Sequence, residues 1–224
     1  MNHVLVTGSK GFLGQQLVNY LTTQPDQRIS QIDLPEFDLT QPAVFDHGEF
    51  DDFDVVFLAH AVNPTQDSLT PINAGSSLER SFSVNVLSIS LLLEHIATKL
   101  INRSRPIKII HLSSIYSVKS PKHYLYNSTL KPAAYGATKA AANYLIKHYS
   151  LLYPTLICGV NLIIGGVLSG REEPEFVSAY SYHAPTRSMI NPRSLIPVIV
   201  QTSNYLTELS AGSDIYLDGG WSQW

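Results

Sequence analysis

Short apolar runs rich in β-branched residues alternate along the chain with longer segments in which apolar residues recur at helical spacing. The short runs predict six strands, at residues 3–7, 28–33, 54–59, 108–112, 156–162 and 214–217. The longer segments predict four helices, at residues 11–23, 78–100, 134–153 and 192–204. This alternation is typical of a parallel sheet with helices on both faces. We therefore predict an α/β fold with a doubly wound parallel sheet in three layers, α/β/α.

Two segments interrupt this pattern. Residues 35–53 are too short for a complete helix–strand–helix unit, which predicts that one peripheral element is trimmed there. Residues 165–191 have few periodic apolar positions and many Ser, Tyr, Pro and Glu, so they predict a long loop, either a lid over the substrate or a surface excursion.

Composition narrows the class of protein. A chain of 224 residues that is 44% hydrophobic can fill one sizeable core, so we expect a single domain over residues 1–224. With 15 basic and 18 acidic side chains, net charge −3, it lacks the positive field that a nucleic-acid partner requires. Cys158 is the only cysteine, which excludes an internal disulfide and indicates a reducing compartment.

The expected location is the cytoplasm. No uninterrupted apolar run approaches the roughly 18 residues that cross a bilayer, and the first predicted strand begins almost at the initiator methionine. We therefore expect no membrane partner. The histidines are scattered, without the spacing of metal ligands, so we also expect no metal.

A glycine-rich turn supplies the first candidate chemistry. Gly8, Gly11 and Gly14 follow the apolar run Val4-Leu5-Val6 and precede an amphipathic helix, the context in which a Rossmann-type fold binds a dinucleotide. Glycines let the backbone approach the pyrophosphate, and the helix N-terminus faces its negative charge.

Asp33 indicates which dinucleotide is bound. It ends the second predicted strand 19 residues after Gly14, where a carboxylate accepts hydrogen bonds from ribose hydroxyls and repels a 2′-phosphate. We therefore predict NAD rather than NADP. Lys10 either reaches such a phosphate or is an exposed loop lysine, and Asp38 either binds the adenine amino group or stabilises a turn.

Tyr135 and Lys139 supply the second candidate chemistry. Their spacing of four residues places them on one face of a helix, where the ammonium group favours ionisation of the phenol and lowers its pKa. Ser114 follows the predicted strand at 108–112, so it lies at the sheet edge where open α/β folds bind ligands.

Together these residues resemble the short-chain dehydrogenase/reductase family, and the glycine spacing is closest to its extended, sugar-nucleotide branch. Asn85, in Phe82-Ser83-Val84-Asn85-Val86, matches the family's helix asparagine and completes a tetrad with Ser114, Tyr135 and Lys139. The resemblance implies that Tyr135 exchanges a proton with the substrate oxygen, that Ser114 binds the same oxygen, and that Lys139 holds the nicotinamide ribose. It implies that Asn85 kinks its helix and holds a water that passes protons to Lys139.

The predicted cofactor contacts follow the same resemblance. They are Gly8, Lys10, Gly11, Phe12, Leu13, Gly14, Asp33, Asp38, Leu39, Ala59, His60, Ala61, Tyr135, Lys139, Gly165, Gly166 and Val167. The chain departs from the family at Ala59-His60-Ala61-Val62, where Asn-Asn-Ala-Gly is usual, so His60 either contacts the cofactor or fills space. Ile163-Ile164-Gly165-Gly166 also lacks the expected proline.

A narrower similarity concerns the substrate. Ser113 to Ser117, Tyr126-Asn127-Ser128-Thr129 and Pro132 are similar to family members in bacterial surface-sugar pathways, such as those for legionaminic-acid-type nonulosonic acids. This implies a sugar, sugar phosphate or sugar nucleotide substrate and a homodimer or homotetramer. Aromatic residues suited to a polyol are Tyr116, Tyr124, Tyr126, Tyr180, Tyr182 and His183, and Arg171 or Arg187 either grips a phosphate or is loop surface.

Three functions remain open at this point. The first is an NAD(P)-dependent oxidoreductase acting on a secondary alcohol or ketone of such a carbohydrate. The second is an NAD-retaining sugar-nucleotide epimerase or dehydratase, which usually has a larger C-terminal substrate region. The third is an NAD(P)-sensing protein without turnover, which would not require Ser114, Tyr135 and Lys139.

Overall fold

A computed structural model describes residues 2–64, 66–67, 74–126 and 129–223. Asn127 and Ser128 of the substrate similarity lie outside the described residues. Within these ranges the strands are β1 (Asn2–Thr7), β2 (Gln27–Ile32), β3 (Val55–Leu58), β4 (Gln66–Asp67), β5 (Ile107–Leu112), β6 (Thr129–Leu130), β7 (Ile157–Ile164) and β8 (Ser213–Leu217). The helices are α1 (Phe12–Leu21), α2 (Ala74–Phe82), α3 (Ser88–Lys99), α4 (Ala133–Leu152), α5 (Pro174–His183) and α6 (Pro192–Tyr205).

The six longer strands form one parallel sheet in the order β2-β1-β3-β5-β7-β8, which confirms the doubly wound sheet. From β1 the chain adds β2 on one side and then crosses to add β3 on the other. The order therefore reverses between β1 and β3, and open α/β sheets bind ligands beyond the carboxyl ends of the strands at this point. The short strands β4 and β6 pair separately as an antiparallel ribbon.

Successive strand residues face opposite sides of the sheet and build two apolar layers. Leu5, Val56 and Ile109 pack on one face with side chains of α3 and α4. On the other face, Val6 and Phe57 pack with side chains of α1 and α6. The fold thus has the predicted three-layer α/β/α Rossmann-type architecture.

The predicted helix at residues 78–100 is longer and interrupted. Helix α2 runs into a π turn at Ser83–Leu87 and continues as α3. Although the sequence has no uninterrupted apolar run of that length, Leu78–Lys99 is long and apolar enough by composition to cross a membrane. Ile89, Leu92 and Ile96 of this stretch are buried in the core, and core helices pass the same test, so it is weak evidence for a membrane.

The two segments that interrupt the sequence pattern differ in outcome. Between β2 and β3 the chain forms only the 3-10 turns Pro42–Asp46 and Gly48–Phe50, which confirms the trimmed element. Residues 165–191 instead contain a regular helix, α5, so the prediction of a long loop was wrong there. Tyr180 of α5 is buried with Met189 and Trp221 in a small cluster, and this packing stabilises a helix whose sequence has little periodicity.

Candidate active site

Two cavities lie at the carboxyl ends of the strands. One of about 380 Å³ is bordered by the glycine turn and the segment after β2. The other, of about 670 Å³, contains Ser114, Tyr135 and Lys139. Ala59 and Ala61 line both cavities, so they form one continuous crevice at the point where the strand order reverses.

The glycine turn packs so closely against the protein backbone that two of its positions have no space for a side chain. Gly8 has φ of 66°, and a Cβ atom there would lie 2.6 Å from the His60 backbone. A Cβ atom at Gly14 would lie 2.0 Å from the Gly8 carbonyl oxygen. Gly11 is the N-cap of α1 and provides no side-chain hydrogen bond. The first N–H groups of the helix are therefore open to an anion such as a pyrophosphate.

Asp33 lies directly after β2 at the smaller cavity. Its Oδ2 accepts from the Lys10 backbone N–H at 2.7 Å, and its Oδ1 accepts from the Leu34 N–H at 2.8 Å. Because a carboxylate has about four lone-pair positions, each oxygen keeps one free for a ribose hydroxyl.

The side chain of Lys10 is turned away from a phosphate-binding role. Its Nζ donates to Glu36 Oε2 and to the Leu34 carbonyl oxygen, each at 2.8 Å. The hydrogen bond from Lys10 lowers the pKa of Glu36, which keeps that carboxylate charged. The predicted alternative that Lys10 reaches a 2′-phosphate is thus opposed by Glu36 as well as by Asp33.

The remaining residues predicted at the adenosine end have mixed placements. Asp38 and Leu39 line the smaller cavity, but Asp38 Oδ1 accepts from the N–H and the hydroxyl of Thr40, which is the turn-stabilising role. Phe12 is exposed, and neither Phe12 nor Gly14 lines either cavity. Leu13 lines the larger one.

His60 lines the smaller cavity and is held on both ring nitrogens. Nδ1 lies 2.6 Å from Thr7 Oγ1, and Nε2 lies 2.8 Å from Ser88 Oγ. Burial, helped by the charge of Lys139, lowers the pKa of His60 to about 3. His60 is therefore a neutral, fixed part of the cavity wall.

Ser114, Tyr135 and Lys139 converge in the larger cavity. Ser114 follows β5 and starts the 3-10 turn Ile115–Ser117, with its Oγ accepting from the Tyr116 N–H at 3.2 Å. Tyr135 lies in the first turn of α4 and is near enough to Ser114 for the serine hydroxyl to lower the pKa of its phenol. The predicted serine–tyrosine–lysine set is thus assembled at one place.

The expected effect of Lys139 on the phenol is wrong for the protein alone. Burial raises the pKa of Tyr135, and the Ser114 hydrogen bond only opposes this in part. The reason is that Lys139 is itself buried, which lowers its pKa to about 7. At the higher pH where a phenol ionises, Lys139 is already neutral and offers no charge.

Lys139 is anchored by the sheet. Its Nζ donates to the Leu112 carbonyl oxygen at 2.7 Å and lies 3.4 Å from Nε2 of His111. His111 was not predicted as a site residue. The signal that could have identified His111 is its position as a polar residue between apolar residues of a buried strand.

Asn85 lies in the π turn, behind the cavity. Its Oδ1 accepts from the Val62 N–H at 2.8 Å, and its Nδ2 donates to the Val62 carbonyl oxygen and to Thr138 Oγ1, both at 3.0 Å. Asn85 therefore ties the loop after β3 to the helix turn that carries Lys139. The π turn agrees with the helix distortion that the resemblance implies.

The segment after β7 closes the far wall of the larger cavity. The Gly165 N–H donates to the Leu217 carbonyl oxygen at 3.1 Å, and the Gly166 N–H donates to the Tyr180 hydroxyl at 2.6 Å. Gly166 and Leu168 also bond to Ile190 through a β-bridge. Val167, between these two residues, lines the cavity.

The predicted substrate residues separate into two groups. Tyr116, Tyr126, Tyr180 and Arg171 line the larger cavity. Tyr124, Tyr182 and His183 border a different groove, and Arg187 stacks over Tyr182. Lys131, which was not predicted, lines the larger cavity, with its Nζ 5.3 Å from the Tyr126 ring centre.

Solved structures with a similar fold include short-chain dehydrogenases. A short-chain dehydrogenase from Leptospira borgpetersenii with bound NAD+ has a TM-score of 0.81 and 21% identity, covering 99% of this chain and 92% of that one. The aldohexose dehydrogenase of Thermoplasma acidophilum has a TM-score of 0.78 and 18% identity, covering 100% and 94%. ElxO with NADP bound has a TM-score of 0.78 and 16% identity, covering 100% of both chains. No curated protein sequence matches the chain.

The chain therefore has the fold of short-chain dehydrogenases, one of which was solved with bound NAD+. The glycine cradle, the open N-terminus of α1 and the free lone pairs of Asp33 fit NAD as its cofactor. The model of the NAD-dependent epimerase/dehydratase family matches residues 4–182, most of the chain. The chain therefore belongs to the NAD-dependent epimerase/dehydratase family.

Proposed function

We propose that the protein is an NAD-dependent oxidoreductase acting on a secondary alcohol or ketone of a carbohydrate-like substrate. The observation that carries this proposal is the position of Ser114, Tyr135 and Lys139 in a cavity continuous with the glycine cradle. Bound NAD would supply a hydride acceptor, or NADH a donor, at nicotinamide C4.

The residue roles follow from their chemistry. Tyr135 exchanges a proton with the substrate oxygen, and its raised pKa means that the phenol is protonated and ready to donate to a ketone. The Ser114 hydroxyl binds the same oxygen and stabilises the charge that develops there. Lys139 holds the nicotinamide ribose, and Asn85 keeps the surrounding loop and α4 in place.

The adenosine end favours NAD over NADP. Asp33 places a negative charge at the smaller cavity, and Lys10, which also lines it, is already paired with Glu36. A 2′-phosphate would meet the Asp33 carboxylate, so we expect tighter binding of NAD(H).

The substrate cavity suits a sugar that carries a negative charge. Hydroxyls of Tyr116, Tyr126 and Tyr180 are suited to a polyol, and burial lowers the pKa of Lys131, which forms no ion pair within the described ranges. The Glu172 carboxylate is occupied by the N–H groups of Ser169 and Gly170. These features support a sugar phosphate or sugar nucleotide, consistent with the resemblance to surface-sugar enzymes. In this proposal one catalytic domain spans the chain, and residues 165–191 act as a lid.

A second candidate is an epimerase or dehydratase that keeps its NAD bound, and the family description favours it. The two functions differ in a simple observable. An oxidoreductase forms or consumes free NADH, whereas an NAD-retaining enzyme converts its substrate without net change in nucleotide and releases NAD only when it is denatured.

The test begins with binding of NADH and NADPH to the purified protein, followed by a screen of sugar phosphates and nucleotide sugars for NADH formation. Tyr135→Phe is expected to lose at least about 100-fold in turnover while NADH binding is retained. Tyr144→Phe, on the exposed side of α4, is the matched control. Preferred binding of NADPH, or unchanged turnover in Tyr135→Phe, would contradict the proposal.

A further inference from the structure

A row of polar side chains crosses three neighbouring strands behind the larger cavity. His111 of β5, Asn161 of β7 and Asp214 of β8 are direct partners in the strand register. His111 and Asn161 are both 0% exposed. The row starts at Lys139, whose Nζ lies 3.4 Å from His111 Nε2, and ends at Asp214, which is paired with Lys147 at 2.6 Å.

The orientation of the Asn161 amide is fixed by its hydrogen bonds on the side of Asp214. Its Nδ2 donates to Asp214 Oδ1 at 2.9 Å and to the Asn143 main-chain oxygen at 3.2 Å. Neither of these oxygens can donate, so the NH2 group must face them. The Asn161 Oδ1 therefore faces His111, where it lies 3.0 Å from Nδ1.

This orientation assigns the histidine tautomer. Because Asn161 Oδ1 only accepts, His111 Nδ1 must carry the hydrogen, and the lone pair of Nε2 faces Lys139. Burial and the charge of Lys139 hold the pKa of His111 well below its ordinary value, so the ring is neutral. An uncharged ring with this tautomer is an acceptor for an ammonium group.

Lys139 has three N–H groups, and the protein uses two of them. One donates to the Leu112 carbonyl oxygen and one faces His111 Nε2. The third is left for the cavity that also contains Tyr135. Lys139 forms no salt bridge with a carboxylate in the part of the chain that is described, so these two neutral acceptors hold its position.

We propose that His111 is a positioning residue, held by Asn161 and Asp214, that directs the ammonium group of Lys139 into the active-site cavity. The proposal deepens the proposed function, because its importance for turnover rests on the role of Lys139 there. The row orients Lys139 and does not conduct protons, since Asn161 presents a carbonyl oxygen to His111 and cannot pass a proton onward as a neutral amide.

The test measures the titration of Lys139 directly. The titratable groups that face it are His111 from β5, His60 from the end of β3 and Tyr135 from α4, and the Asn143 amide lies beside the His111 ring. With 13Cε-labelled lysine, the Lys139 resonance is assigned by its loss in Lys139→Met. In His111→Leu we expect Lys139 to titrate about one pH unit lower than in the native protein, because its ammonium form loses a hydrogen bond.

Two further variants make the result specific. His111→Gln keeps an acceptor near the Nε2 position and is expected to restore at least half of the shift. Asp214→Asn releases the Asn161 amide, so Lys139 is expected to titrate at a lower pH in this variant too. If His111→Leu does not fold, Asp214→Asn decides whether the row positions Lys139. His95→Gln is the control, since the His95 ring bonds to the Phe50 carbonyl oxygen and stacks on Phe45, and it has no contact with Lys139 among the described residues.

The proposal is overturned if the Lys139 titration in His111→Leu, or in Asp214→Asn when the former does not fold, equals that of the native protein. NADH binding, measured by fluorescence, is the separate readout. We expect His111→Leu to bind NADH about tenfold more weakly, while His95→Gln binds as the native protein does. A native protein that does not bind NADH contradicts the proposed function, whereas the lysine titrations still decide the role of His111.

Discussion

At the scale of single residues, the candidate active site contains two titratable groups whose surroundings disfavour their charged forms. Lys139 is buried among neutral acceptors, and Tyr135 is half-buried beside it in the same cavity. Burial raises the pKa of Tyr135 and lowers the pKa of Lys139. Each group therefore favours its neutral form until a ligand changes its environment. Such sites are built at the expense of stability.

The stability of the protein should depend on pH through Lys139. Burial lowers its pKa from 10.5 to about 7, so between these values the unfolded chain binds more protons than the folded protein. The unfolding free energy then rises with pH across this window. Relative to Lys139→Met, the native protein should gain on the order of 3 kcal/mol from about pH 7 to about pH 10, measured by urea unfolding of both proteins. Lys99→Met, on the exposed surface, keeps Lys139 and should therefore show the same rise with pH as the native protein. Parallel curves for the native protein and Lys139→Met would contradict the assignment.

Lys131 should determine the preference for a charged substrate. Lys131→Gln removes the cation that lines the cavity without an ion-pair partner, so the KM for a phosphorylated substrate found in the screen should rise about tenfold. The affinity for NADH should not change, because Lys131 lies in the substrate part of the crevice. Lys119→Gln is the exposed control, and equal KM values in the native protein and Lys131→Gln would remove Lys131 from substrate binding.

At the scale of elements, the sequence predicted all six strands of the main sheet and the positions of α1, α4 and α6 within a few residues. Their alternation and periodicity are local properties, and so are the glycine turn and the Tyr135–Lys139 spacing. Helix α5 was missed because its stability comes from burial of Tyr180 against Trp221, far apart in sequence. His111 and Lys131 were missed for a similar reason, since only the folded chain brings His111 to Lys139 and Lys131 to the cavity.

The π turn joins α2 and α3 at the position where Asn85 reaches two other elements. Asn85→Ala would leave the buried N–H and C=O of Val62 and the Thr138 hydroxyl without this partner. We expect the unfolding free energy to fall by about 3 kcal/mol, as judged by urea denaturation. Asn19→Ala, on the exposed face of α1, should change it by less than about 0.5 kcal/mol. A similar small change in Asn85→Ala would show that these hydrogen bonds are replaced by water.

At the scale of the whole molecule, we expect the homodimer or homotetramer that the sequence resemblance implies. Helix α4 exposes large apolar side chains near its C-terminus, with Leu151 71% exposed. Leu151→Glu should shift the sedimentation coefficient at micromolar concentration toward that of a monomer, because a charge would be buried in the contact. Leu209→Glu is the matched control, since Leu209 is 91% exposed but lies in a different part of the chain. A native protein that sediments as a monomer would contradict the expectation.

The register of the last strands has a consequence for folding. Strand β8 is at the edge of the sheet and pairs only with β7, and edge strands slip easily. A slip by one residue would turn the Asp214 carboxylate to the opposite face of the sheet and leave the Asn161 amide without its acceptor. The misaligned state would be less stable by about 1–3 kcal/mol. The hydrogen bond between Asn161 and Asp214 thus disfavours misaligned pairing of β7 and β8 while the chain folds.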